Sequence, residues 1–262
     1  MQSLLILRHA VRSLVLNPLE VARIFAFPYL LIFSLVGSVG FYWGLFDDFL
    51  RGNSMEHSAG LGAMFGVLSL SLIIALWPIV NWHRFILADE MESRFIVGIQ
   101  FERVFDYFLR VILIVSLSML VATPLILLGN YGISYIAALK QNMGFAIVSS
   151  MQGTRVLNFL SDILIAYFVL RLSVSLVGVA LGEDHSGLRT IWRATKEGRY
   201  TIMGITLALF CFQALFDWLI DILPEPATIP FGILSFAILG LLNVSILTTL
   251  YAHYVEGCEL SR

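Results

Sequence analysis

The stretch that decides the fold is Leu157–Leu181, LNFLSDILIAYFVLRLSVSLVGVAL, which is long and apolar but contains Asp162 and Arg171. A helix that crosses the bilayer core needs about 20 mostly apolar residues, and this stretch meets that length. Taken as a membrane span, it is the fourth of six. Taken as a helix that is merely buried, it leaves five spans, and the last two basic loops then fall on opposite sides of the membrane.

Five other apolar runs have the length of a span, and a pair of prolines separates the last two of them. Pro224 and Pro226 predict a tight turn there, because proline cannot continue a helix. The predicted spans cover residues 24–46, 59–82, 107–129, 157–181, 200–223 and 227–252.

The composition supports a membrane protein over the whole chain. Hydrophobic residues make up 59% of the 262 residues and charged residues 13%, and the mean hydropathy is +0.89. A soluble domain has about 25% charged residues, so soluble, fibrous and disordered classes are excluded. The sequence predicts an all-α, polytopic integral membrane protein with one transmembrane domain over residues 1–262. The net charge of −2 argues against a nucleic-acid partner and leaves membrane lipids as the predicted partner.

The distribution of Lys and Arg predicts the orientation. With six spans, 12 of the 16 positive residues lie on the side that holds both termini and the second and fourth loops. Positive residues beside spans favour the cytoplasmic side. We therefore expect both termini in the cytoplasm.

Three segments that precede odd-numbered spans are amphipathic and predict interfacial helices at about residues 2–16, 95–106 and 186–198. In the third, Ser186 is a suitable N-cap and Trp192 is expected to face the core. The predicted apolar stripe of the first consists of Leu4, Leu7, Val11, Leu14 and Val15.

Basic residues near the ends of the even-numbered spans predict an internal repeat. Arg84, Arg171 and His253 are separated by 87 and 82 residues. This spacing suggests three copies of a helical hairpin, each with an interfacial helix, a span in and a span out.

A resemblance comes from two neighbouring segments. The first segment is Leu170–Gly182, with the sequence LRLSVSLVGVALG. The second is Ser186–Tyr200, with the sequence SGLRTIWRATKEGRY. Together they resemble a segment of a poorly characterised family of bacterial six-helix inner-membrane proteins, which includes the membrane domain attached to some glycerophosphodiester phosphodiesterases. The resemblance covers about a third of the chain and implies a location in the bacterial inner membrane. The soluble catalytic domain of the phosphodiesterases has no counterpart here, so their activity is not implied.

Ionisable residues inside spans are the best indicators of a functional site, because each costs roughly 2.5–3.5 kcal/mol at the centre of a helix. Asp162, Asp217 and Asp221 are expected near the outer surface, either as simple boundary residues or as an acidic vestibule for a cation or proton. Arg171 lies deeper. With Arg84 and His253 it is a candidate site for a lipid phosphate at the inner leaflet.

No motif for phosphate-loop, zinc-protease or serine-hydrolase chemistry occurs, and the five histidines are scattered. We therefore expect no enzyme activity, no metal and no cofactor. The predicted function is that of a non-enzymatic, lipid-interacting scaffold or envelope helper subunit. The alternative is a small transporter or channel that uses the acidic vestibule and Arg171.

Overall fold

The computed structural model describes residues 2–42, 58–88, 98, 100–142, 148–183 and 187–258, and these ranges contain helices and no strands. The helices are α1 (Gln2–Leu16), α2 (Pro18–Tyr42), α3 (Ser58–Ala88), α4 (Phe101–Asn142), α5 (Val148–Leu181), α6 (Leu188–Ala194), α7 (Arg199–Ile222) and α8 (Glu225–Tyr254).

Six of these helices, α2, α3, α4, α5, α7 and α8, are long and apolar enough to cross a membrane. The predicted all-α polytopic class is therefore confirmed. The apolar part of α5 covers Phe159–Leu181, so Asp162 and Arg171 do not interrupt the fourth span. Each predicted span lies within or largely overlaps one helix, because a bilayer requires every backbone polar group to be satisfied inside the segment.

The spans form an inner and an outer group. In the most apolar window of each span, 56% of residues are buried in α5, 50% in α8 and 39% in α3, against 17–18% in α2, α4 and α7. The three inner helices contact one another, while α2 packs on α3, α4 on α5, and α7 on both α5 and α8. The even-numbered spans therefore form the core and the odd-numbered spans surround it.

The turn between the last two spans is as short as its prolines predict. α7 ends at Ile222, and Pro224, with an extended backbone, is the N-cap of α8. A proline at this place costs no hydrogen bond, because the first backbone N–H groups of a helix have no partner inside it.

The first amphipathic segment is helical over the predicted range, Gln2–Leu16, but its buried face is not the predicted apolar stripe. In α1, Ile6, Leu7 and Ala10 are buried, while Leu4 and Val11 of the predicted stripe are exposed. The buried face of α1 packs against α8 and α7. Contacts with these helices therefore determine which face is buried, and the periodicity of the sequence does not show them.

The second and third amphipathic segments also differ. Residues 101–106 form the first turns of α4 rather than part of a separate helix, and residues 95–97 and 99 lie outside the described ranges. The third segment is helical over Leu188–Ala194, which is shorter than predicted. Its N-cap is Gly187, whereas Ser186 lies outside the described residues.

Hydrogen bonds connect each inner helix to a segment outside the inner group. Each of α3, α5 and α8, which we call the trailing spans, donates one hydrogen bond from a side chain to a backbone carbonyl of a segment that precedes an outer span. The bonds are Trp77 Nε1 to the Gly98 carbonyl (3.3 Å), Arg171 Nη2 to the Trp192 carbonyl (2.9 Å) and Ser245 Oγ to the Ala10 carbonyl (2.9 Å).

The first two of these bonds both join residues that are 21 positions apart in the chain. The third bond joins residues near opposite ends of the chain, so its spacing cannot be compared with theirs. The predicted repeat, with Arg84, Arg171 and His253 at equivalent positions, stays a prediction.

Candidate functional site

Arg171 lies inside the protein and clamps α6 to α5. Its side chain is 6% exposed. Its guanidinium donates to the Thr195 hydroxyl (3.0 Å, from Nε), to the Tyr167 hydroxyl (3.0 Å, from Nη1) and to the Trp192 carbonyl (2.9 Å, from Nη2). The same group lies 3.7 Å from the centre of the Trp192 ring, in the geometry of a cation–π contact. The arginine therefore points into the fold, away from any lipid-facing surface.

The acceptors around Arg171 are neutral, and they account for three of its five N–H donors. The Thr195 hydroxyl donates in turn to the Ile191 carbonyl (2.8 Å), and Phe168 stacks on the other partner, Trp192, with an interplanar angle of 3°. These contacts favour a structural role for Arg171, in which it joins α6 to α5, over a role in binding a ligand.

The contacts of Arg171 described above involve neither Arg84 nor His253. Arg84 is half-buried near the end of α3. His253 donates from Nδ1 to the Cys258 carbonyl (3.1 Å) and makes an edge-on contact with Tyr254. The hypothesis that Arg84, Arg171 and His253 share a phosphate stays a prediction, and the contacts of Arg171 favour another role for that residue.

The three aspartates of the predicted vestibule are exposed. Asp217 accepts a hydrogen bond from Gln213 one turn earlier on α7 (2.8 Å), and Asp221 and Asp162 lie on the surfaces of α7 and α5. This exposure agrees with boundary residues. A vestibule for a cation or proton stays a prediction.

A buried polar network connects three helices around His83, a residue that the motif search left without a role. His83 is fully buried, and its Nδ1 lies 2.8 Å from the Thr248 hydroxyl of α8, while Nε2 lies 3.4 Å from the Tyr107 hydroxyl of α4. The Thr248 hydroxyl donates to the Val244 carbonyl (2.9 Å), so it accepts from Nδ1. A neutral histidine with its proton on Nδ1 fits both contacts, because Nε2 can then accept from the Tyr107 hydroxyl. This network fixes the inner helices against α4.

A charged pocket of about 530 Å³ lies between the start of α4 and the end of α5. Arg103 and Arg110 of α4 line it together with Asp106, and Glu183 lines the opposite side. Its apolar lining includes Leu109, Leu113 and Val179.

Glu183 also connects the charged pocket to the end of α8. It accepts a hydrogen bond from the Tyr251 hydroxyl. Partial burial, with a smaller contribution from the Glu183 carboxylate, raises the pKa of Glu256 just beyond α8. The two acidic groups therefore influence each other at this end of the bundle.

An apolar crevice of about 440 Å³ lies between α5, α7 and α8. Its walls include Ala166, Leu170, Leu209 and Leu247, and the hydroxyl and amide groups that line it belong to Ser173, Thr206, Gln213 and Asn243. All of these lining residues lie in membrane-spanning segments. The crevice therefore lies within the thickness of the membrane.

Sequence reasoning did not identify the charged pocket or the crevice as sites. One available signal was the spacing of Arg103, Asp106 and Arg110, which places these three side chains on one side of a helix. A second was Gly182 immediately after the fourth span. Neither signal shows that α4 and α5 meet there.

Comparisons with protein-family models, curated proteins and solved structures gave no match. The resemblance to the bacterial six-helix family therefore stays a prediction. Within the described ranges, no group of three or more histidine, cysteine, aspartate and glutamate side chains could hold a metal ion.

Proposed function

We propose that this protein is a non-enzymatic, phospholipid-binding protein of the bacterial inner membrane, which acts as a scaffold or helper subunit with both termini in the cytoplasm. The observation that carries the proposal is the apolar crevice between α5, α7 and α8. An empty apolar cavity forfeits the packing energy of its lining, so a crevice of this size inside a membrane favours an apolar occupant. An acyl chain is the occupant that the bilayer supplies.

The amphipathic helix α1 supports a position at the membrane surface. Leu4, Val11 and Val15 are exposed beside the exposed residues Arg8 and Arg12. An exposed apolar stripe next to arginines fits the headgroup region, where each basic residue gains about 1 kcal/mol from anionic lipid.

Filling the crevice tests the lipid-binding role. We expect Ala166→Trp to reduce the phospholipid that co-purifies with the protein, because the indole occupies the space of the acyl chain. Leu164→Trp is the matched control, since Leu164 lies on the same helix with 37% of its surface exposed and does not line the crevice. Native mass spectrometry of both variants measures the bound lipid. Equal lipid retention by two folded variants contradicts the proposal.

Reporter fusions test the orientation separately. A reporter that is active only in the periplasm should be inactive at Arg262 and active at Asn53. The opposite pattern contradicts the predicted orientation and leaves the lipid proposal unaffected.

A further inference from the structure

We propose that the charged pocket between α4 and α5 binds a zwitterionic phosphodiester, in which Arg103 and Arg110 hold the phosphate while Asp106 and Glu183 hold a primary ammonium. The proposal rests on the lipid-binding function proposed above and adds a separate site for the headgroup of an ethanolamine phospholipid.

The two arginines suit one phosphate. They lie seven residues apart on α4, which is about 10.5 Å along the axis and close to two turns, so they share a face of the helix. Both line the pocket and both are half-buried. Guanidinium groups bind phosphate oxygens through two parallel hydrogen bonds, and partial burial strengthens such bonds.

Gly182 lies directly against Arg103. Its backbone has a φ of 80°, which favours glycine, and a Cβ atom there would collide with the Arg103 guanidinium. The guanidinium thus packs on the backbone that ends α5, where the helix dipole favours a positive charge. In the described part of the chain, no carboxylate forms a salt bridge with Arg103. The cation therefore lies at the pocket while keeping hydrogen-bond donors for a ligand.

The acidic side of the pocket suits an ammonium group. Asp106 lies between the two arginines on α4, and Glu183 lies opposite, just after α5. Tyr251 donates to one oxygen of Glu183 and so orients the carboxylate, while a carboxylate has further acceptor sites on its second oxygen. Two cations and two anions around one cavity match a ligand that has both signs of charge and no net charge.

The apolar lining of the pocket favours a lipid as the source of this chemistry. It includes Leu109 and Leu113, which are each about half exposed on a membrane-spanning helix. A headgroup bound between the arginines can therefore continue into acyl chains along α4. A soluble phosphoethanolamine has the same charged groups without the chains, so the experiment must separate the two sources.

The test uses the purified full chain in detergent, titrated by native mass spectrometry with dihexanoyl-phosphatidylethanolamine, dihexanoyl-phosphatidylglycerol, phosphoethanolamine and inorganic phosphate. We expect the double variant Arg103→Gln with Arg110→Gln to bind phosphatidylethanolamine at least tenfold more weakly. The matched control is Arg8→Gln with Arg12→Gln, which removes the same charge from exposed positions on α1 and should leave binding unchanged.

Two further variants refine the result. The single variant Arg110→Gln keeps the contact between Arg103 and Gly182. It replaces the double variant in the test if the double variant fails to fold. Asp106→Asn should lower the preference for phosphatidylethanolamine over phosphatidylglycerol about threefold, because only the first headgroup has an ammonium.

Each outcome has a stated meaning. Weaker lipid binding in the arginine variants, with weak binding of phosphoethanolamine to the wild type, supports a phospholipid site. Equal affinity for phosphoethanolamine and the short-chain lipid contradicts the lipid source while supporting the phosphate and ammonium chemistry. Unchanged binding in folded arginine variants overturns the proposal. If Ala166→Trp still reduces bound lipid in that case, the proposed function survives without this site.

Discussion

The contact between α5 and α6 and the contact between α8 and α1 each hold an amphipathic helix against an inner span, but their chemistry differs. At the first, Arg171 makes three hydrogen bonds and stacks on Trp192. At the second, Ser245 donates to the Ala10 carbonyl and shares a 2.7 Å hydrogen bond with Ser13. A charged clamp holds one amphipathic helix, and a pair of hydroxyls holds the other.

The lengths of the two amphipathic helices explain this difference. α6 has 7 residues and buries only Ile191, whereas α1 has 15 residues and buries Ile6, Leu7 and Ala10. A helix shorter than about 12 residues is marginal by itself, and a single buried side chain adds only about 1.5–3 kcal/mol. The short helix therefore depends on strong polar bonds, and the long one depends mainly on apolar packing.

The largest expected effect is that of Arg171→Leu. This change leaves the Trp192 carbonyl and two hydroxyls without their donor, and hydrogen bonds to charged groups contribute about 1.5–3 kcal/mol each. We expect a loss of roughly 3 kcal/mol in the free energy of unfolding, with α6 detaching before the spans separate. Trypsin reports the detachment, because Arg189 and Arg193 are exposed on α6.

Arg171→Lys is the matched control. It keeps the positive charge but loses the planar fork that reaches three acceptors, so intermediate destabilisation is expected. If Arg171→Leu is as stable as the wild type and is cleaved no faster, α6 does not depend on the clamp.

The second effect is that of Trp192→Leu, which removes the ring but keeps the backbone carbonyl that Arg171 binds. Loss of the cation–π contact and of the stacking on Phe168 should lower stability by about 1–2 kcal/mol. Thermal unfolding in detergent measures the change. Trp218→Leu is the control, because Trp218 is 59% exposed and should be close to neutral.

The third effect is that of Ser245→Ala at the junction of α8 with α1. A neutral hydrogen bond contributes about 1 kcal/mol, so the loss should be about a third of that caused by Arg171→Leu. Ser38→Ala serves as the control, since the Ser38 hydroxyl bonds only the Leu35 carbonyl of its own helix on an exposed face. A loss at Ser245 as large as that at Arg171 contradicts the argument from helix length.

The smallest effect is the pH dependence of stability that arises from two acidic residues, Glu183 just after α5 and Glu256 just after α8. Burial and the nearby Glu183 raise the pKa of Glu256 above its ordinary value of 4.5. An acid with a raised pKa in the folded state contributes stability that is complete below pH 4.5 and is lost as the pH rises through the folded pKa.

Glu256→Gln should remove this dependence. Between pH 4 and pH 7 the wild type should lose slightly more stability than the variant loses. The extra loss should be small because Glu256 is exposed. Thermal midpoints at the two pH values measure the difference. A variant with the same pH dependence as the wild type contradicts the assignment to Glu256.

The sequence alone predicts six spans, and each predicted span lies within or largely overlaps one helix. Even the span with Asp162 and Arg171 was counted, and the structure has a continuous helix there. These features are local, since a bilayer requires about 20 apolar residues in each helix whatever surrounds it. The short turn at Pro224 is local in the same sense.

The tertiary structure alone decides which faces and residues meet. Periodicity identified α1 as amphipathic but not that Ile6 and Ala10 face α8 and α7, because apolar side chains suit lipid and protein neighbours alike. The charged pocket likewise depends on Gly182 of one hairpin arm meeting Arg103 of the other, which no spacing within either helix reveals.

The side chains that join the inner helices to these segments depend on structure for a related reason. Trp77, Arg171 and Ser245 share no chemical type, yet each donates one hydrogen bond to the backbone of a segment that precedes an outer span. A backbone carbonyl accepts from an indole, a guanidinium or a hydroxyl, so such a contact needs only a donor at the right place. Residue type therefore does not identify these donors, and only the packing of α3, α5 and α8 does.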